Sequence, residues 1–415
     1  MLRTVTSISS LLLGTGILLV GVGLLGTLLG VRAGVEGFSG TVTGLVMSAY
    51  FVGYVVGTAF CPALIRRVGH IRAYAAMAAV ASSAALAHAL VVDPLAWGAL
   101  RGVTGACLVG LYMVVETWLN AAAPSQRRGQ VFAIYMTISL LALALGQFLL
   151  LAGSVTSFVP FALVAMLVSL GLVPVALTRV AEPPLMESAR LHLRELYRIS
   201  PTGLAGAFGA GLVIGAFWGM GALFGHDMEL SQRGIALFMS STIVGGAVLQ
   251  FPIGHFSDGH DRRTVLMAVS MATALLAAVM FAVVPLARWA LYTSAFVFGG
   301  FAFTVYSLSV AHLNDHLDAA HLIEASRGLL LVYGVGSALG PLAAGWLMEA
   351  LGPRSLPAYF ALVMALLGLF ALARMRHAPP VPAEEQAEFV PMVRTTPAVL
   401  EMDPRAEVEP ELDLE

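Results

Sequence analysis

The sequence predicts an all-α membrane protein of twelve transmembrane helices, arranged as two pseudo-symmetric six-helix bundles. Three observations predict it. Hydrophobic residues fill 59% of the 415 positions and charged residues only 11%. Apolar runs long enough to cross a bilayer recur twelve times, and arginines gather at alternate connections between them. A water-soluble domain of this length needs far more charge to cover its surface, so much of the exterior must face lipid.

A helix crossing the hydrocarbon core needs ~20 apolar residues. Such spans fall at 9–31, 41–64, 74–92, 95–119, 130–152 and 158–177, then at 203–224, 234–254, 264–285, 289–312, 328–350 and 356–373. Backbone polar groups must be satisfied within lipid, and runs this long do so as helices rather than as barrel strands. The first run exceeds the apolar stretch of a signal peptide, and no small-x-small site follows Val31; it is expected to remain as span 1.

Orientation follows the excess of arginine on one side. With the N-terminus inside, Arg3, Arg66, Arg67, Arg72, Arg127, Arg128, Arg179, Arg190, Arg194, Arg198, Arg262, Arg263, Arg327, Arg374 and Arg376 are cytoplasmic, against Arg32, Arg233, Arg288 and Arg354 outside. The expectation is a multi-pass protein of the bacterial inner membrane with both termini cytoplasmic. Residues 1–178 form the N-terminal bundle, 179–202 a cytoplasmic central loop, 203–376 the C-terminal bundle and 377–415 a disordered tail, rich in proline and bearing ten acidic residues.

Composition also excludes functions. All 22 basic residues are arginine, so no lysine is present for a Schiff base or a phosphate loop. Cys61 and Cys107 sit in apolar runs without metal-ligand spacing. No Ser-His-Asp pattern or nucleotide-binding loop occurs, and no ring of filter groups suggests a channel. The expectation is no enzyme, no cofactor, no metal and no nucleic-acid partner. The partners expected are a small-molecule substrate, the lipid bilayer and protons, with the chain acting as a monomer.

The halves repeat. The loop after span 2 reads Arg66-Arg67-Val68-Gly69-His70-Ile71-Arg72, and the one after span 8 reads GHFSDGHDRR from Gly254 to Arg263. Span 4 carries Tyr112 and Asn120, span 10 carries Tyr306 and Asn314, and the following spans open at Arg128-Gly129 and Arg327-Gly328. The Gly254–Arg263 stretch resembles the Gly-x-x-x-Asp-Arg-x-Gly-Arg-Arg loop of the major facilitator superfamily, with Gly259 and Asp261 replacing an expected arginine and glycine. In the first-half copy Pro62 and Arg66 replace the glycine and the aspartate, while Gly69 remains. Arg101-Gly102-Val103-Thr104-Gly105-Ala106 resembles that family's fourth-helix Arg-x-x-x-Gly pattern, and Gly336-x-x-x-Gly340-Pro341 its glycine-proline motif, here in span 11. Span 5 has Gly146-Gln147 without proline, which departs from a drug-antiporter pattern. Within the superfamily YFVGYVVGT (50–58), LYMVVETWLN (111–120), RRGQVFAIYM (127–136) and GGAVLQFPIG (245–254) are similar to a bacterial YcaD-like branch. The resemblance spans nearly all of residues 1–375. It implies alternating access, with two bundles rocking about a central cavity.

Arg101 is the sharpest candidate, because an arginine two turns into an apolar span is costly unless it faces a wet cavity or a partner. It reads as a substrate or coupling contact, or else as a structural arginine that snorkels outward. Tyr112, Gln147, Trp218, Tyr306 and His312 are the other cavity candidates. Each has a competing role as an interhelical hydrogen bond or a packed side chain. Glu116, the carboxylate within a span, reads as a gate partner of the neighbouring loop arginines ahead of a proton carrier. Gly69, Arg128, Gly254, Asp258, Arg262 and Arg327 belong to the loop signatures. By resemblance, Asp258 should sit at a helix N-terminus of the other bundle, where the dipole favours an anion. Gly105, Gly336, Gly340 and Pro341 read as helix-packing positions. The function expected is proton-coupled efflux of a small organic solute. Its alternatives are uptake or exchange of an organic anion held by Arg101, and a non-transporting sensor on the same fold.

Overall fold

The computed structural model describes residues 2–123, 127–177, 193–284, 287–317, 322–376 and positions 381, 382, 386 and 389. Six long helices form the first half: α1 (Leu2–Val35), α2 (Gly40–Val68), α3 (His70–Leu90), α4 (Pro94–Ala122), α5 (Arg128–Phe148) and α6 (Val159–Leu177). A short helix, α7 (Leu193–Ile199), precedes the second six: α8 (Pro201–Asp227), α9 (Gln232–Ser257), α10 (Arg262–Val283), α11 (Arg288–Asn314), α12 (Leu322–Leu351) and α13 (Ser355–Met375). All twelve long helices are apolar and long enough to cross a membrane. The chain is an integral multi-pass membrane protein of two six-helix bundles, as the sequence predicts.

The helices outrun the apolar runs because polar caps start them early. Ser39, Asp93, Ser200 and Ser231 accept hydrogen bonds from the first-turn amides of α2, α4, α8 and α9, which otherwise lack partners. Pro94 and Pro201 sit in first turns, where no amide is needed. Within the expected central loop, α7 buries Leu196 and exposes Arg194 and Arg198; residues 179–192 of that loop lie outside the described residues.

The two halves pack alike. α2 lies on α4 as α9 lies on α11, and α3 on α6 as α10 on α13. The closest approaches even share register. Gly53 of α2 abuts Gly102, and Gly105 of α4 abuts Tyr50; thirteen and eleven residues into the matching helices, Gly245 abuts Phe296 and Gly299 abuts Thr242. Across the halves α2 meets α12, α5 meets α9 and α1 meets α8, so the same pairing recurs about a pseudo-twofold axis. Rows such as Val52, Val56 and Phe60, or Leu362, Leu366 and Leu369, stay exposed, and lipid is the solvent that tolerates them.

Tail residues Gln386 and Phe389 depart from the expected free segment. Phe389 is 9% exposed and joins the hydrophobic core, because its ring finds the bare backbone of Gly254. Most of the remaining tail lies outside the described residues.

Candidate functional site

Arg101 is held seven residues into α4, 6% exposed, with its guanidinium carbon 4.4 Å above the Tyr50 ring of α2. A guanidinium over a desolvated aromatic face is stabilised by the ring quadrupole, which offsets part of the burial cost. Both residues line a cavity of about 30 Å³, with Val22, Leu25 and Gly26 from α1, Phe51 from α2, Leu108 from α4, Leu143 from α5 and Trp218 from α8. Both halves therefore build it, and Arg101 is the charged residue in its wall. At this size it admits a water or two.

Phe51 is shared with a second cavity of about 60 Å³ between α2 and α12. Tyr54 and Thr58 line it from one half; Arg327, Tyr333 and Ser337 line it from the other. The Ser337 hydroxyl is buried there with no hydrogen-bond partner. Aromatic rings connect these places. Tyr50 and Tyr54 lie 6.3 Å apart, Tyr54 and Tyr112 6.3 Å, and Tyr306 and Tyr333 4.6 Å. Trp218 packs edge-on against Phe217 and Phe303. Arg101, Trp218 and Tyr50 are thus brought together, with Tyr112 and Tyr306 one ring further out.

The other candidates stand elsewhere. Gln147 is fully buried and ties α5 to α1: its amide donates to Gly23 O at 2.9 Å and Leu143 O at 3.0 Å, and its oxygen accepts from Thr27. It does not line the Arg101 cavity. Gln250 does the same work in the second half, donating to Ser307 of α11. His312 packs edge-on against His316 near the charges of Arg263, Asp261 and Arg262, at the arginine-rich end of the bundle. Glu116 is 0% exposed and accepts a hydrogen bond from Tyr135 of α5 at 2.9 Å. It lies deeper than a surface gate partner would, while Arg66, Arg67 and Arg72 are exposed.

The two loop signatures turn differently, which explains their altered residues. The first turns on one residue, Gly69, at φ 85°, a left-handed conformation that a side chain would strain. The second turns at Gly259, φ 79°, so glycine stands where arginine was expected. Asp261 then replaces the expected glycine because it caps α10, accepting from Arg263 N at 3.0 Å and from the Arg263 guanidinium at 3.1 Å. Burial alone would raise its pKa, yet the bonds from Arg263 outweigh this and hold the carboxyl below its usual range. A lowered native pKa contributes stability above the unfolded value, and that contribution is lost as pH falls through the native one.

Asp258 corrects an expectation. Instead of reaching a helix of the other bundle, it pairs within its own half, with Arg262 at 3.1 Å and His255 at 3.4 Å, and accepts the Phe389 amide at 3.0 Å. The four-residue spacing from Asp258 to Arg262 brings the guanidinium back over the loop, and Arg262 reaches on to Asp315 at the end of α11, 2.9 Å away. Among the packing positions, Gly336 and Gly340 meet the backbone of Phe208 and Leu212 in α8, and Pro341 fills the junction of α2, α8 and α12 against Gly44 and Gly219.

The opposite end is closed across the halves. Gly40 abuts Gly345, Gly34 abuts His226, and the Glu349 carboxylate of α12 accepts the Thr41 amide at 2.9 Å in the first turn of α2. An anion there also complements the helix dipole. Replacing Glu349 with alanine is expected to loosen this end. A cysteine placed at Met47, fully buried beneath it, should react about two- to fivefold faster with an impermeant maleimide than in the Glu349 parent. Sequence reasoning missed Tyr50, Tyr333, Asp315 and Glu349. The four-residue step from Tyr50 to Tyr54 was a signal for the first, since it puts both rings on one helical face.

A family model described as Major Facilitator Superfamily matches residues 203–403. The MFS-type transporter YcaD of Escherichia fergusonii is 27% identical over 336 residues, covering 80% of this chain and 87% of that protein. The same protein of Salmonella arizonae is 27% identical over 347 residues, covering 82% and 87%. Among solved structures, the nucleoside transporter NupG superposes with a TM-score of 0.73 at 16% identity over 90% of this chain and 100% of that one. A bacterial homolog of the human lysosomal transporter Spinster, in an inward-facing and unoccupied conformation, gives 0.66 at 14% identity over 98% and 99%. With its loop signatures, its twinned six-helix bundles and these relatives, the chain is similar over most of its length to transporters of the Major Facilitator Superfamily.

Proposed function

We propose that the protein is a secondary transporter whose cargo is a small organic anion with a flat apolar body, moved by alternating access. The observation that supports this is the Arg101 guanidinium, buried over Tyr50 in a cavity built by both halves and otherwise walled by apolar and aromatic groups. Such a wall favours an apolar body, and one fixed cation selects an anionic group on it. Arg327 and Ser337 in the adjoining cavity offer the same chemistry one step toward the arginine-rich end. That end is cytoplasmic by the positive-inside rule, in a bacterial inner membrane, with the chain working as a monomer. Proton-driven export is the mode that the resemblance to the superfamily implies; the residues themselves lend the coupling little support, with no Asp or Glu in the first span. Glu116, bonded to Tyr135 in a site without exposure, is the carboxylate that would take the proton.

The test is reconstitution in liposomes and a screen of organic anions, cations and neutral solutes with and without an imposed pH gradient. The expected result is saturable, salt-sensitive flux of an anion. Arg101→Ala should lower its apparent affinity roughly 30-fold or more, the usual cost of truncating one side of a buried charge pair. Flux confined to cations, or anion flux indifferent to Arg101→Ala, would overturn the reading.

A further inference from the structure

Phe389 is the one aromatic residue in the 39 positions that follow Arg376. Its ring lies on Gly254, the first glycine of the α9–α10 loop signature, so closely that a Cβ there would overlap it. Its backbone amide donates to Asp258 at 3.0 Å, and three residues earlier the Gln386 side chain donates to His260 O at 3.0 Å. These contacts are independent of one another: an apolar ring in a glycine-made notch, an amide on a carboxylate and a side-chain amide on a carbonyl. Together they place two described tail residues, Gln386 and Phe389, against the loop.

We infer that the notch formed by Gly254, Asp258 and His260 is a binding site for a peptide segment, and that the chain's own C-terminal segment occupies it as a tethered strap. The strap anchors the inner ends of α9 and α10. It leaves Asp258 engaged by Arg262, His255 and the Phe389 amide, all within the second half or its tail. α9 faces α5 across the two halves, so the strap burdens a helix that must shift when the bundles rock. A segment that binds one conformation of such a helix and not another shifts the balance toward the first. The strap therefore holds the state closed at the end opposite the arginines, and its release frees the loop.

The contacts can be tested without knowing the cargo. In the full-length protein, Phe389→Ala should speed amide hydrogen exchange across residues 254–263 by about tenfold, with exchange in α1 to α6 unchanged. Tenfold corresponds to ~1.4 kcal/mol of lost protection, within the range for an apolar ring truncated at a contact. A chain ending at Arg376 should show the same increase. A fluorescent peptide spanning residues 381–393 should bind that shortened chain in detergent and not the full-length one, and the Phe389→Ala peptide should bind neither. Exchange at 254–263 that is the same in all three chains would overturn the inference. So would equal binding of both peptides. Because none of these readouts involves flux, they stand apart from the identity of the cargo.

Discussion

Replacing Arg262 with methionine is expected to lower stability by ~3–5 kcal/mol, the cost of leaving a buried carboxylate without the cation facing it. The Arg262 side chain is 1% exposed, and so is that of Asp315, whose Oδ2 stands 2.9 Å from the guanidinium Nε. The same guanidinium reaches Asp258 at 3.1 Å. One arginine thus ties the α9–α10 turn to the end of α11, and its loss frees both. Asp315→Leu alone should be costly for the converse reason, since it leaves the cation facing a leucine. Arg262→Met combined with Asp315→Leu should recover most of the loss, because two apolar groups of similar size need no desolvation. The measurement is the unfolding midpoint in detergent for the two single variants and the double one. Additive losses in the double variant would show that the pair contributes no coupling and that other contacts hold this corner.

The spans were legible because lipid imposes a length and a polarity that no other solvent does. The repeat was legible too, since two copies under one packing rule keep the same residues at the same depth: Tyr112 and Tyr306 recur, and so do Gly105 and Gly299. Contacts distant in sequence were not legible. Thr41 and Glu349 meet across 308 residues, and nothing near either announces the other. Arg101 was conspicuous as a charge in an apolar run, but Tyr50 beneath it looked like any span tyrosine. The tail misled for a different reason. Its composition describes a solvated segment, and composition averages away the single phenylalanine that finds a notch. Asp258 shows the limit of resemblance: the motif predicted a latch across the halves, and the nearest partners lie in its own half because Arg262 returns to it one helical turn later.

The largest effect is expected where backbones touch. Gly105→Leu should prevent assembly of the first bundle, and Gly105→Ala should already destabilise it by at least ~1–3 kcal/mol, because the added methyl meets backbone rather than a movable side chain. A Cβ at Gly105 would overlap Tyr50 O and crowd the Tyr54 amide, and Gly53 meets Gly102 in the same way. In lipid no hydrophobic force draws helices together, so close packing and polar contacts must do it, and a few tenths of an ångström decide whether they can. Gly98, two turns earlier on the same helix, has no atom within 4 Å of its would-be Cβ. Gly98→Ala should therefore be neutral or stabilising, by up to ~1 kcal/mol through helix propensity. The contrast separates packing from propensity, since both changes add one methyl to α4. Gly299→Ala in α11 should copy Gly105→Ala, as its Cβ would meet Thr242 O. Expression in the membrane fraction and melting in detergent give the answer. Equal behaviour of the Gly98 and Gly105 variants would mean that α2 and α4 tolerate separation. The rigid bundle that alternating access requires would then have to be held by something other than this seam.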